Sequence, residues 1–283
     1  MRKKYAKKSL RKVIYTGLLV AILAVIWVER GSFANHSNKH ENAHKQHDQH
    51  KTLVVGLSAD YPPFEFKTQG ELQGYDVDLA TELGKELGAK VEFVDMDFSG
   101  LIPALKSAKI DMAVSGITDT AERRHNVDFS KKYFAVMLDV ISNHEHKLTS
   151  ASELTGKRVG VQLGSTMEQY AKSIPDASVV ALATNHQLIQ ELKIGRIDAI
   201  ICEHVQAVEF SKMNPTLVHH SLGLDKVGYA IAFAKGSPLV AEINAALLRL
   251  QEHKQLHALQ KKWIDSAHTE GEVQGYAEDE VKD

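Results

Sequence analysis

The chain has 283 residues, of which 43% are hydrophobic and 25% charged, a composition that suits a globular protein of one large or two medium domains. A formal net charge of -2 gives no basis for a nucleic-acid partner. The single cysteine, Cys202, excludes an internal disulfide and a Cys-rich zinc site.

Charge is unevenly placed, since seven of the first twelve residues are Lys or Arg. An uncharged, Leu/Ile/Val/Ala-rich run at 13–28 follows, and a basic segment ahead of an apolar one reads as an export signal. The run is shorter than a comfortable membrane span of ~20 residues. Ser32-Phe33-Ala34 offers small residues where a signal peptidase cuts. Residues 1–34 are therefore expected to be a signal peptide or a retained N-terminal anchor. The stretch 35–51 holds five histidines, His36, His40, His44, His47 and His50, and no large apolar residue. It reads as a solvated linker, with transition-metal binding by the imidazoles as the alternative.

Folded sequence begins with a strand at 52–58, broken by Tyr61-Pro62-Pro63-Phe64, which fixes two aromatics in a rigid loop. A helix capped by Asp76 follows, with Leu79, Ala80, Leu83 and Leu87 on one face and Gly88 as its stop. A strand at 90–96, a helix at 99–108 and a strand at 110–115 complete two strand–helix–strand units. That rhythm predicts a parallel sheet with helices on both faces, and ligands of such sheets bind beyond the carboxyl ends of the strands. Tyr61, Phe98 and the stretch 115–123 follow three successive strand ends, so they converge on one edge.

The stretch 111–124 carries the chemistry. Gly116 permits close approach to the backbone, and Ser115, Thr118 and Thr120 offer hydroxyls that donate and accept. Arg123 supplies a planar fork suited to a carboxylate. Together they fit the head of a free amino acid; the plainer alternative is a strand-to-helix turn with a solvated arginine.

The second half repeats the rhythm. An extended apolar run at 134–142 precedes a strand at 156–162, and Gly164-Ser165-Thr166 opens a helix whose free N–H groups favour an anion. A strand at 179–182, a helix at 185–194 and a strand at 197–202 lead to Glu203, a carboxylate at a strand's carboxyl end. The alternative for Glu203 is a place beside a helix start, held there by the dipole. A strand at 227–234, a helix begun by Ser237-Pro238 and a last helix through Trp263 follow. Residues 267–283 read as an acidic, flexible tail. Cys202 reads as a buried small hydrophobe.

Read in order, Tyr61-Pro-Pro-Phe-Glu-Phe66, Gly74-Tyr-Asp-Val-Asp-Leu79, Asp97-Phe-Ser-Gly-Leu-Ile-Pro-Ala-Leu105, Ile110-Asp-Met-Ala-Val-Ser-Gly116, Glu122-Arg123, Phe129-Ser130, Gly164-Ser-Thr166 and Gly195-Arg-Ile-Asp-Ala199 resemble the type II periplasmic amino-acid-binding proteins. These are the solute receptors of polar amino-acid ABC transporters. The resemblance covers 52 to about 266 and implies an α/β fold of two lobes joined by two hinge crossings, near 139–145 and 225–231. Lobe one would be 52–140 plus 232–266, and lobe two 145–226. It further implies that Arg123 pairs with the ligand α-carboxylate, aided by Gly164, Ser165 and Thr166 from the other lobe. Glu203 would take the α-ammonium with Ser115, Gly116 and Thr118, and Tyr61 and Phe98 would sandwich the side chain. Most relatives have Asp where Glu203 stands. Gln162, before the glycine turn, could accept from a guanidinium, and Asp60 and Glu65 would make the far end of the pocket negative. Arginine is the expected ligand, then lysine, ornithine or glutamine. The partner would be a membrane permease, and the protein would be a monomer in the periplasm or at the outer face of the cytoplasmic membrane. No cofactor, metal or catalytic residue is implied. The rival reading is a cyclohexadienyl dehydratase-like enzyme on the same fold.

Overall fold

The computed structural model describes residues 51–224 and 226–265. The chain divides into two units, Met1–His50 and Lys51–Asp283, and the elements of the described residues all lie in the second. The expected signal segment, histidine-rich linker and acidic tail lie outside the described residues, apart from Lys51, which already belongs to the first strand. Among the described residues no helix is long and apolar enough to cross a membrane.

Two five-stranded sheets carry the fold. In the first, β1 (Lys51–Leu57) lies between β5 (Ala89–Asp95) and β6 (Met112–Ala113), parallel to both. The antiparallel strands β13 (Val227–Ala234) and β7 (Val127–Val136) complete it. The short strands β2 (Asp60–Tyr61), β3 (Glu65–Thr68) and β4 (Glu71–Gln73) form a small antiparallel sheet of their own. In the second large sheet, β9 (Arg158–Gln162) is parallel to β10 (Ser178–Leu182) and β11 (Ala199–Glu203). There β8 (Leu138–Asn143) is antiparallel to both β11 and β12 (Leu217–Ser221). The expected parallel sheet is thus realised by three strands in each half. In each sheet one strand, β13 or β8, runs against its neighbours, because the chain enters it by passing from the other sheet instead of returning over a helix.

The first passage is at Met137, between β7 and β8, earlier than the 139–145 expected from the resemblance. The second spans 222–226, just ahead of most of the 225–231 expected. The apolar run at 134–142 is divided between the two sheets, so periodicity alone could not locate the break. The sequence names the helix α6 (His204–Met213) only as the helix start that is the alternative for Glu203, and strand β12 carries no sequence expectation. Helix α6 buries Val205, Gln206, Ala207, Val208 and Phe210, which leaves no one-sided apolar stripe to read.

Each sheet is covered on both faces. On the first, Leu79, Ala80 and Leu83 of α1 (Tyr75–Glu86) join Ile243, Ala246, Leu247 and Leu250 of α7 (Leu239–Glu252) over one face. Leu101, Ala104 and Leu105 of α2 (Leu101–Lys106) join Ile110 and Phe129 on the other. On the second, Met167 and Ala171 of α4 (Thr166–Lys172) cover one face. The opposite face carries Leu188, Ile189 and Leu192 of α5 (Asn185–Lys193), with Ala207 and Phe210. Burying each large side chain contributes about 1.5–3 kcal/mol, and this apolar contact holds in place the strand ends and the polar residues they carry.

Asp76 corrects one local expectation. The N-cap of α1 is Gly74, with no side-chain cap bond, and Asp76 lies inside the first turn, fully buried. Its Oδ2 accepts from the Gly116 N–H at 2.9 Å and from the Tyr133 hydroxyl at 2.8 Å. Glu65, equally buried, accepts from the Ser115 hydroxyl at 2.6 Å through Oε1. The remaining oxygens, Glu65 Oε2 and Asp76 Oδ1, are buried and find no other donor. Burial, then the Asp76 charge, pushes the Glu65 carboxyl well above its ordinary range, and burial raises Asp76 to about 6. Both shifts favour holding a proton in the pair, and the stronger push is on Glu65.

A carboxyl whose pKa rises on folding binds more protons folded than unfolded, so its contribution to stability falls as pH rises above the unfolded value. Glu65→Gln places a permanent N–H donor where that proton sits. The unfolding free energy of the variant relative to wild type, measured without ligand, should increase from about pH 5 to about pH 8. The slope should be up to about 1.4 kcal/mol per pH unit. A difference independent of pH would show that the pair holds no such proton.

Candidate functional site

The carboxyl ends of the parallel strands in the two sheets face a common cavity, closed in this structure to about 10 Å³. From the first sheet, the turns after β1 and β5 bring Ser58, Tyr61 and Phe98, and the turn after β6 brings Ser115, Gly116, Thr118 and Arg123. From the second, the turn after β9 brings Gln162, Ser165, Thr166 and Met167, and the end of β11 brings Glu203. Ten of the eleven residues expected from the sequence line this cavity. Gly164 meets it through its carbonyl, which accepts from Arg123 Nη2 at 3.1 Å.

Arg123 lies in the short helix α3 (Ala121–Arg124), whose start is capped by the Thr120 hydroxyl accepting from the Arg123 N–H. The cap turns the side chain back over the loop, where Nη1 donates to the Thr118 carbonyl at 2.8 Å. The guanidinium carbon stands 5.5 Å from the centre of the Phe98 ring. Burial lowers the guanidinium pKa while the Glu203 charge opposes the shift; an arginine keeps its charge in such a place.

Glu203 is the N-cap residue of α6, yet its side chain makes no cap bond. It is 2% exposed and accepts from the Tyr61 hydroxyl. Tyr61 in turn meets the Tyr229 hydroxyl at 3.0 Å. Burial raises the Glu203 pKa, against the hydrogen bonds from Tyr61 and Tyr229 and the charge of Arg123. Both sequence readings of Glu203 hold together, since a helix start and a strand end meet at this residue. One face of the Tyr61 ring stacks on Phe64, with centroids 5.8 Å apart and planes at 25°.

Gly116 and Gly164 are glycines by necessity. Gly116 has φ of 53°, and a Cβ there would stand 3.2–3.3 Å from the Tyr229 and Tyr61 rings. Gly164 has φ of 81°, and a Cβ would come 3.2 Å from Ser99 across the cavity. Left-handed backbone and close approach both favour glycine at these positions.

The Ser165 hydroxyl donates to the Gln162 carbonyl at 2.6 Å and accepts from the Glu168 N–H at 3.2 Å, so it caps α4 as the helix start at Ser165 or Thr166 predicts. Two expectations change in detail. Asp60 does not line the cavity; it accepts from the Asn185 N–H at 2.6 Å and from the Ser58 hydroxyl at 3.2 Å. Glu65 lines the cavity, but burial and the Asp76 charge favour its protonated form, which works against the negative far end expected from Asp60 and Glu65. Met167 and Tyr229 carried no sequence expectation. Tyr229 was findable as the one side chain with a polar group in the run 227–234.

The Gln162 side chain is buried, and its Nε2 has no hydrogen-bond partner. Opposed charges, hydroxyls and an unpaired amide around one small cavity suit a zwitterion with a polar side chain.

Comparison with known proteins agrees with this arrangement. The sequence pattern of the bacterial extracellular solute-binding proteins, family 3, matches residues 53–266. The arginine-binding extracellular protein ArtP of Bacillus subtilis (strain 168) is 40% identical over 220 residues, covering 76% of this chain and 86% of its own. The solved structure of an ancestral arginine-binding protein bound to arginine is similar with a TM-score of 0.73 at 40% identity, covering 75% of this chain and 97% of that one. An ancestral arginine-binding protein bound to glutamine gives a TM-score of 0.72 at 39% identity, covering 76% and 98%. The chain belongs to family 3 of the bacterial extracellular solute-binding proteins and has their two-lobed α/β fold.

Proposed function

We propose that the protein captures a free amino acid, arginine before lysine, ornithine or glutamine, and delivers it to the permease of an ABC transporter. The observation that carries this reading is the pairing of Arg123 and Glu203 on one cavity, each held by groups from the opposite side. A ligand α-carboxylate takes the Arg123 fork in place of the Gly164 carbonyl, and the α-ammonium takes Glu203. Gln162 suits a nitrogen-bearing side chain, since its amide accepts from a guanidinium in one orientation and donates to a carbonyl in the other. Similarity to proteins bound to arginine and to glutamine supports that order. The family consists of solute-binding proteins, which favours a binder over a dehydratase-like enzyme.

In this reading the protein works as a monomer outside the cytoplasmic membrane. Residues 1–34 act as the export signal, either cut after Ala34 or kept as an anchor, and 35–50 act as a spacer. The lobes follow the sheets, 51–136 with 227–265 and 138–221.

Calorimetry with arginine tests the head site. Arg123→Ala should keep the fold and lose about 2–5 kcal/mol of binding, because the ligand carboxylate loses its charged partner in an enclosed site. Arg123→Lys should also bind weakly, a point charge replacing a fork. Glu203→Gln keeps an acceptor for Tyr61 but loses the counter-charge, so it should weaken binding as well. Unchanged affinity in Arg123→Ala would remove the assignment.

Ligand choice is tested separately by thermal shift over the twenty amino acids with ornithine and citrulline. Arginine should raise the melting temperature most at equal concentration. Strong stabilisation by an acidic amino acid, with none by arginine, would overturn the ligand while leaving the family intact.

A further inference from the structure

Away from the cavity, Asp139 on β8, His204 at the start of α6 and His219 on β12 bring three ligating atoms within 4.8 Å of one another. His204 Nδ1 lies 2.9 Å, and His219 Nδ1 2.8 Å, from the same Asp139 Oδ2. The imidazole rings are 5.6 Å apart at 66°, so they approach the carboxylate from different directions. Asp139 is fully buried, and its second oxygen, Oδ1, has no hydrogen-bond partner. The histidine side chains are 17% and 26% exposed. None of the three lines the amino-acid cavity.

We propose that Asp139, His204 and His219 form a binding site for a divalent transition-metal ion of the zinc class. Two imidazoles and one carboxylate are a donor set suited to Zn²⁺, Co²⁺ or Ni²⁺, with remaining positions open to water. Tetrahedral bonds of about 2.0–2.1 Å place ligand atoms about 3.3 Å apart. Each nitrogen therefore has to withdraw from Oδ2 by about half an ångström, a movement two partly exposed side chains can make. The ion takes the place of the protons the two imidazoles now offer the carboxylate, and the rings carry their proton on Nε2 instead.

The place of this site gives it structural reach. The His204 N–H donates to the carbonyl of Met137, where the chain passes from one sheet to the other, at 2.8 Å. The Leu222 N–H, at the start of the return passage, donates to the Leu138 carbonyl at 2.9 Å. An ion held by β8, β12 and α6 therefore fastens the second lobe at the foot of both crossings.

The test uses the full chain with His36, His40, His44, His47 and His50 changed to Ala, so that linker imidazoles contribute nothing. Titration with Zn²⁺ in a non-chelating buffer should give one equivalent bound, and Zn²⁺ should raise the melting temperature. His219→Ala and His204→Ala, each with its metal-free melting curve recorded as a check on folding, should weaken binding at least tenfold and abolish the shift. Asp139→Asn should do the same; because Asp139 is buried and its loss can prevent folding, the histidine variants decide. No stoichiometric binding, or unchanged binding in a folded His219→Ala, would overturn the proposal.

Discussion

The cavity depends on one buried carboxylate. Asp76 ties three separate pieces of chain together: the first turn of α1, which carries it, the Gly116 backbone after β6 and the Tyr133 hydroxyl on β7. Through Glu65, whose protonated form its charge favours, it reaches Ser115, whose hydroxyl also accepts from the Ser58 N–H at 3.0 Å. The turns after β1 and β6 are thereby fixed to each other by hydrogen bonds inside the protein, where an unpaired group would cost about 1–3 kcal/mol. Neither carboxyl could occupy this place as an isolated anion. The proton, the hydroxyls and the glycine N–H are one arrangement, and removing any member leaves another buried and unpaired.

On that frame, the contacts that span the cavity are polar and few. Tyr61 reaches Glu203, Arg123 reaches the Gly164 carbonyl, Asp60 accepts from the Asn185 N–H, and Gln169 donates to Glu122. A neutral hydrogen bond of this kind contributes about 0.5–1.5 kcal/mol net, and one to a charged group about 1.5–3. Such energies close two lobes without locking them. Most of the apolar packing lies within each sheet and its helices, with Val205 of α6 joining the first core, so opening the cavity between the lobes disturbs little of either core.

Much of this was legible because strand ends are conspicuous. A β-branched run that stops at Ser115-Gly116, at Gln162 or at Glu203 marks a turn, and parallel strands bring their turns to one edge. Legibility ended where side chains act over distance. Asp76 has the position and chemistry of a helix cap, and only the fold reveals that its acceptors serve Gly116 and Tyr133. Asp60 and Glu65 read as charges beside the aromatic loop, but Asn185 engages one and burial pushes the pKa of the other up. The crossing at Met137 lies inside an unbroken apolar run, and α6 is buried on too many sides to show a stripe. Asp139, His204 and His219 are separated by 65 and 80 positions from the shared carboxylate, a spacing no local pattern reveals.

The charge balance of the cavity limits which side chain it can accept. Arg123 and Glu203 are opposite in sign, so a zwitterionic head leaves the site neutral and an acidic side chain would add an uncompensated anion beside Glu203. A neutral amide needs only hydrogen bonds, which Gln162 and the hydroxyls can supply. A guanidinium brings a positive charge, and the group on the cavity wall able to answer it is Glu65, whose protonated form is favoured by burial and by the Asp76 charge. A nearby cation favours the ionised carboxyl. Under the proposed function, arginine and the Glu65 proton would therefore be alternatives for the same negative charge, whereas glutamine would leave that proton in place. Selectivity between the two ligands would then rest on the buried pair that also holds the turns together.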